Sequence, residues 1–192
     1  MPNLYIIAGC NGAGKTTASY TILPEILNCK EFVNADNIAA GLSPFNAESV
    51  AIEAGRIMLQ RIDELLSSRG DFAIETTLAT RSYMSLVHKA KNLGYTVSLV
   101  YIWLKSPDLA LERVSLRVSK GGHNIPVDVV TRRYFRGIKN LFSLFMPICD
   151  AWVVADNSSD YLIEVARKSP EFEIVIENNE IWSAINMQFH DC

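Results

Sequence analysis

The chain has 192 residues, 49% hydrophobic and 20% charged, with a formal net charge of −3. That is enough apolar material for one sizeable core and too little length for two full domains, so 1–192 reads as one domain without a membrane span of roughly 20 apolar residues. The small negative charge lacks the basic excess of a nucleic-acid binder, so neither nucleic acid nor a membrane is an expected partner.

Short β-rich runs alternate with segments of helical period, which predicts an α/β fold: a parallel sheet of five to six strands with helices on both faces. The strand candidates are LYIIAG, EFVNAD, DFAIET, YTVSLVYIWL, AWVVAD and FEIVIE. Between the second and third, Val50, Ala54, Ile57, Met58, Ile62, Leu65 and Leu66 recur at helical spacing, from about Asn46 to a glycine stop at Gly70. RSYMSLVHKAKNLG reads as another helix closed by Gly94. After the longest strand, Ser106 caps and Pro107 opens a helix to about Lys120; GGHNIP interrupts it, and a further helix starts near Pro126. Trp103, Trp152 and Trp182 lie in or beside apolar runs and read as packing residues.

Cys10, Cys29, Cys149 and Cys192 form no CxxC pair and have no histidine at metal-ligand spacing. A disulfide framework and a zinc site are therefore not signalled, and a reducing cytoplasm fits the cysteine usage. The amino terminus has no basic region before its short apolar run, so no secretion signal is expected.

Gly9, Gly14, Lys15 and Thr16 match G-x-x-x-x-G-K-[ST] between a strand and a helix. Such a loop closes backbone N–H groups around phosphate oxygens, at a helix amino terminus that favours negative charge. Gly9, Asn11, Gly12, Ala13, Gly14, Lys15, Thr16 and Thr17 are the candidate ATP-binding residues, with Lys15 on the β- and γ-phosphates and the Thr16 hydroxyl on Mg²⁺. The alternative for the loop is a glycine-rich turn with an exposed lysine.

Ligands of open α/β sheets bind beyond the carboxyl ends of the strands, where Lys15, Asp36 and Glu75 follow the first three. Asp36 is the candidate general base for an acceptor hydroxyl; its structural alternative is an N-cap for NIAAGL. Glu75, followed by Thr76, is a candidate acceptor-binding group or a partner of a water on Mg²⁺. Arg113 and Arg117 share a helical face before GGHNIP, and Arg132, Arg133 and Arg136 follow it. Arginines on both sides of a glycine corner suit a helical lid, about 106–137, that closes on a triphosphate, with Arg113 reading as an ATP contact. His123 reads first as a loop residue and second as a substrate ligand.

Together, IAGCNGAGKTT, FVNADNIAAGLSP, FAIETTLATRSY, GYTVSLVYIWLKSPDLALERVSLRV, GGHNIP and RRYFRGIKNL resemble the zeta-toxin family of P-loop kinases, especially its compact members, from about Leu4 to Leu141. The resemblance implies a kinase-type P-loop nucleoside-triphosphate-hydrolase fold using ATP and Mg²⁺. It places Lys15 on phosphate, Asp36 as base, Arg117 and Arg133 among the catalytic arginines, and Glu75 at the acceptor. It also implies UDP-N-acetylglucosamine as acceptor, phosphorylated on its amino-sugar 3′-hydroxyl, and a small antitoxin as partner. The chain is shorter than the well-studied toxins and carries its own lid motif, GGHNIP, so the resemblance speaks for the reaction more than for the acceptor.

Two other classes compete. An ABC-like ATPase or nucleotide switch acting on a protein partner would use SKGGH as a signature and AWVVAD as the strand that follows it; Asn157 after Asp156 replaces the glutamate such an enzyme needs. A nucleotide-binding module without catalysis would need Lys15 but not Asp36.

Overall fold

The computed structural model describes residues 1–119, 121–122 and 124–190. His123 and Cys192 therefore lie outside the described residues. Seven strands form one sheet: β1 Asn3–Gly9, β2 Phe32–Val33, β3 Phe72–Thr76, β4 Thr96–Trp103, β5 Ala151–Asp156, β6 Ile163–Ser169 and β7 Phe172–Ile176, in the order β2-β3-β1-β4-β5-β6-β7. The first five pair in parallel, as the alternating pattern predicts. An antiparallel hairpin, β6 and β7, extends that sheet to seven. The sequence shows FEIVIE as a strand but hides β6, which buries only Val165 and Ala166 among charged neighbours and so lacks a period of two.

The helices are α1 Lys15–Thr21, α2 Ala35–Leu42, α3 Ala51–Ser68, α4 Tyr83–Asn92, α5 Pro107–Ser119, α6 Val127–Asn140 and α7 Asn179–His190. The β1-to-β2 connection steps towards one edge of the sheet, and every later parallel crossover steps the other way. With right-handed crossovers, α1 falls on one face and α3, α4 and the α5–α6 pair on the other. The central strands β1 and β4 are covered on both sides, which is why they read as continuous apolar runs.

Regular helix α3 begins later than its periodicity suggests, after a 3-10 turn at Ala47–Val50. It buries Ala54, Met58, Ile62, Leu65 and Leu66, while Ile57 stays partly exposed. Its reversal is made by Arg69 at φ 55, one residue before the expected Gly70. The Tyr95 hydroxyl fixes that end, sharing its proton between the carbonyls of Leu65 (3.0 Å) and Gly70 (3.1 Å). Ser106 caps α5 as predicted, its Oγ accepting from Leu109 N at 3.2 Å. All three tryptophans pack: Trp152 stacks on Trp182 at 6.0 Å, and Trp103 Nε1 donates to Gln188 Oε1 at 3.0 Å.

The three described cysteines are free and buried. Burial pushes the Cys10 thiol from 9.0 up to about 11 and the Cys149 thiol up to about 12. A thiol whose folded pKa is raised holds its proton more tightly in the folded state, so its contribution is complete below pH 9.0 and is lost as pH rises towards 11–12. Urea-unfolding stability should therefore be flat from pH 7 to 8.5 and fall above pH 9, and Cys149→Ala should make that fall shallower. An unchanged slope in the variant would contradict the assignment.

Candidate functional site

The loop after β1 is shaped by close approaches of its backbone. Gly9 has φ 145, and a Cβ there would fall 2.2 Å from the Ile102 carbonyl oxygen on β4, a position only glycine fills. Gly14 turns at φ 85 into α1, and a Cβ there would meet Asn157 Nδ2 at 2.6 Å. Asn157, just past β5, donates from that nitrogen to Ala13 O at 2.8 Å and so braces the loop from outside. Gly12 lies against α5 beside Ala110 and Arg113. The start of α1 has no side-chain cap, which leaves its first amides for an anion held in the loop. Lys15 is 7% exposed and curls back so that Nζ donates to Cys10 O at 2.9 Å.

Three strand ends converge beside this loop. In register, Ile7 of β1 lies beside Glu75 of β3, and Val33 of β2 lies beside Ile74. Glu75 Oε2 accepts from Thr16 Oγ1 and from Asn34 Nδ2, both at 2.7 Å, and Oε1 lies 3.7 Å from Lys15 Nζ. One carboxylate thus joins the phosphate loop, β3 and the start of α2. Asn34 uses its other end as well: Oδ1 accepts from Asp36 N at 2.8 Å and Asn37 N at 3.3 Å, capping α2. The capping alternative for Asp36 is therefore corrected, because Asn34 holds that position. Asp36 is left exposed on the first turn, facing the cleft.

The cleft has a volume of about 320 Å³. It collects Asn11, Lys15, Asp36, Glu75, Thr76 and Arg133 from the predicted residues and adds Asn34, Thr77, Thr80, Ser82 and Tyr83 to its wall. Arg133 Nη1 donates to Asn11 Oδ1 at 3.3 Å, tying α6 to the loop. Thr76 Oγ1 accepts from Leu78 N at 3.1 Å, a turn that aims the chain after β3 along the cleft. Thr17 is exposed beyond the loop, on α1.

The other arginines are not brought into this cleft. Arg113 and Arg117 line a separate, shallow depression with Leu116, Gly121 and Gly122. Arg132 and Arg136 are exposed on α6. Asp156 turns its carboxylate to Ser158 N at 2.9 Å, so the acid on which the ABC-like alternative depends closes a turn and does not line the cleft. Asn34 and Asn157, which brace the candidate site, are residues that sequence reasoning missed. Asn at a strand end just before a helix is a common cap, a signal that could have found Asn34; nothing local to Asn157 announces its contact with Ala13.

Gly9→Ala forces a side chain into a glycine-only conformation and against Ile102 O, and should cost more than about 3 kcal/mol of unfolding free energy by denaturant titration. A loss under about 1 kcal/mol would show that the loop has room to shift.

The family model for zeta toxin matches residues 1–160. An uncharacterized protein of Haemophilus influenzae is 31% identical over 126 residues, covering 66% of this chain and 88% of its own. Among solved structures, AvrRxo1-ORF1:AvrRxo1-ORF2 with sulphate ions superposes with a TM-score of 0.79 at 20% identity, over 96% of this chain and 63% of that one. This chain thus spans less than two thirds of that protein, which is also solved with ATP. A structure from the PezAT toxin-antitoxin system of Streptococcus pneumoniae gives a TM-score of 0.65 at 16% identity, over 100% of this chain and 87% of its own. At these identities the structural likeness speaks for the fold, a P-loop kinase fold, and the match of the family model over most of the chain speaks for descent. The chain belongs to the zeta toxin family.

Proposed function

We propose that the protein transfers the γ-phosphoryl group of ATP to a hydroxyl of a small metabolite, in the manner of zeta toxins. A sugar nucleotide such as UDP-N-acetylglucosamine is the first acceptor to test. The observation that carries this reading is the single cleft that holds Lys15, Asp36, Glu75 and Arg133 together. A pure nucleotide binder has no need of the exposed Asp36 carboxylate opposite its phosphate loop.

In the proposed reaction the loop amides and Lys15 hold the β- and γ-phosphates, Lys15 exchanging the Cys10 carbonyl for phosphate oxygen. Asp36 accepts the proton of the acceptor hydroxyl as that oxygen bonds to the γ-phosphorus. The bond from phosphorus to the β–γ bridging oxygen breaks, and ADP leaves with its electron pair. Arg133, which lines the cleft, would stabilise the charge that develops on the equatorial oxygens, and closure of the α5–α6 lid would bring Arg113 and Arg117 towards the same phosphates. The acceptor would lie against Glu75 and Thr76, which line the cleft with Asp36.

The donor set fits Mg²⁺. Thr16 Oγ1 and Glu75 Oε2 are hard oxygen donors side by side, and among the described residues no cluster of three His, Cys, Asp or Glu side chains forms a cage of its own. Such a site suits an ion that arrives on phosphates and keeps water ligands; once bound it would neutralise charge on the β- and γ-oxygens. A small antitoxin protein remains the proposed macromolecular partner, by analogy with the PezAT system. Among the described residues no helix is long and apolar enough to cross a membrane. A cytoplasmic location is proposed on the three free cysteines, which suit a reducing compartment.

Lys15→Ala should weaken ATP binding at least tenfold, measured by titration. Asp36→Ala should keep ATP affinity within about twofold while phosphate transfer falls by about 10²–10⁴. Transfer at the wild-type rate by the Asp36 variant would remove that residue from the role of base.

A further inference from the structure

Beside the polar cleft runs a second and larger cavity, about 650 Å³, between α3 and α4. Met58 and Ile62, each 3% exposed, contribute to its lining with Tyr83, and Leu59 and Leu86 also face it. Ala35, Ser82 and Tyr83 line both cavities, so the groove opens next to Asp36. Farther along the two helices, Lys89 Nζ pairs with Asp63 Oδ1 at 2.7 Å between α4 and α3. The result is an apolar trough of small-molecule size, continuous at one end with the cleft.

Two features of α3 have no explanation in packing. Gly55 sits inside an 18-residue helix, where glycine is unfavourable relative to alanine. A Cβ added there would meet nothing within 4 Å, so no neighbour demands its absence. Gly55 does line the groove, and the missing side chain keeps that wall open. One turn on, Leu59 is 61% exposed, and Ile52 is 78% exposed, both lining the same groove with large apolar groups.

We propose that the phosphate acceptor carries, attached to its hydroxyl-bearing part, an aliphatic or aromatic moiety that seats in the α3–α4 groove. This rests on the phosphotransferase reading and parts from UDP-N-acetylglucosamine as its acceptor, since that sugar nucleotide has no apolar body to fill the groove. The hydroxyl reaches Asp36, and the body of the molecule passes Ala35 and Tyr83 into the trough. The floor offers few hydrogen bonds: the Tyr83 hydroxyl itself is turned to Met58 Sδ at 3.8 Å. The polar lining groups are largely engaged, Lys89 with Asp63 and the Ser85 hydroxyl with Ser82 O, so a polar sugar finds mainly Arg56 to pair with, whereas an apolar group removes its own surface and that of the walls from water.

The test uses 8-anilinonaphthalene-1-sulfonate, an apolar aromatic probe, on the full chain. Gly55→Trp fills the groove and Leu59→Glu places a charge in its wall; both sites face solvent, and ATP affinity within twofold of wild type shows that each variant is folded. The probe should bind wild type and be weakened at least tenfold in both variants. Label transferred from γ-labelled ATP to a cell metabolite extract should fall at least tenfold in the same variants and be inhibited by the probe. Gly55→Ala should raise Tm by about 1–4 °C. Probe binding untouched by both variants, or undiminished transfer in them, overturns the proposal. If wild type binds the probe but labels nothing in the extract, the phosphotransferase reading has failed, and the acceptor assignment falls with it.

Discussion

The site depends on the carboxylate of Glu75. Only its edge meets solvent, and it accepts from Thr16 and Asn34 at 2.7 Å while lying 3.7 Å from Lys15. A buried carboxylate is tolerated only when such partners surround it, so the chain has to bring three separate strand ends to one point. The strand order does this: β3 lies between β2 and β1, and Glu75 at its end faces the product of both neighbours, Asn34 on one side and the phosphate loop on the other. Asn34 then passes the constraint on, since the side chain that donates to Glu75 also caps α2 and fixes where Asp36 stands.

Much of this was legible in the sequence, for identifiable reasons. The phosphate loop is local: four fixed residues between a strand and a helix define it, and the conformations of Gly9 and Gly14 are those the motif requires. The parallel core was legible because buried strands alternate with amphipathic helices. Lys15, Asp36 and Glu75 could be assigned to one rim because each follows the carboxyl end of a parallel strand. What stayed hidden is long-range or weakly patterned. Asn157 acts on Ala13 across 144 positions of sequence. β6 is charged and mostly exposed, and α7 buries only Ile185, so neither has a strong period. The arginine cluster was legible as a group, but sequence spacing could not tell that Arg133 faces Asn11 while Arg113 and Arg117 lie over a different surface.

In the proposed reaction the two cavities would divide the work of a phosphotransferase. The cleft is small and lined by donors and acids, suited to phosphates and a reacting hydroxyl, while the adjoining groove is larger and apolar, suited to the part of a substrate that does not react. Binding energy gained from such a remote part can position the hydroxyl against the γ-phosphate. Because α3 and α4 form the groove and both begin at the rim that carries the cleft, the same crossovers that build the sheet also set the two cavities side by side.

The most direct test of phosphoryl transfer at this cleft is to incubate the protein with γ-labelled ATP, Mg²⁺ and a cell metabolite extract, and to identify the labelled species by mass spectrometry. One hydroxyl-bearing compound should gain a phosphoryl group as ADP forms in equal amount. Label appearing only as inorganic phosphate, with no phosphorylated metabolite, would contradict it.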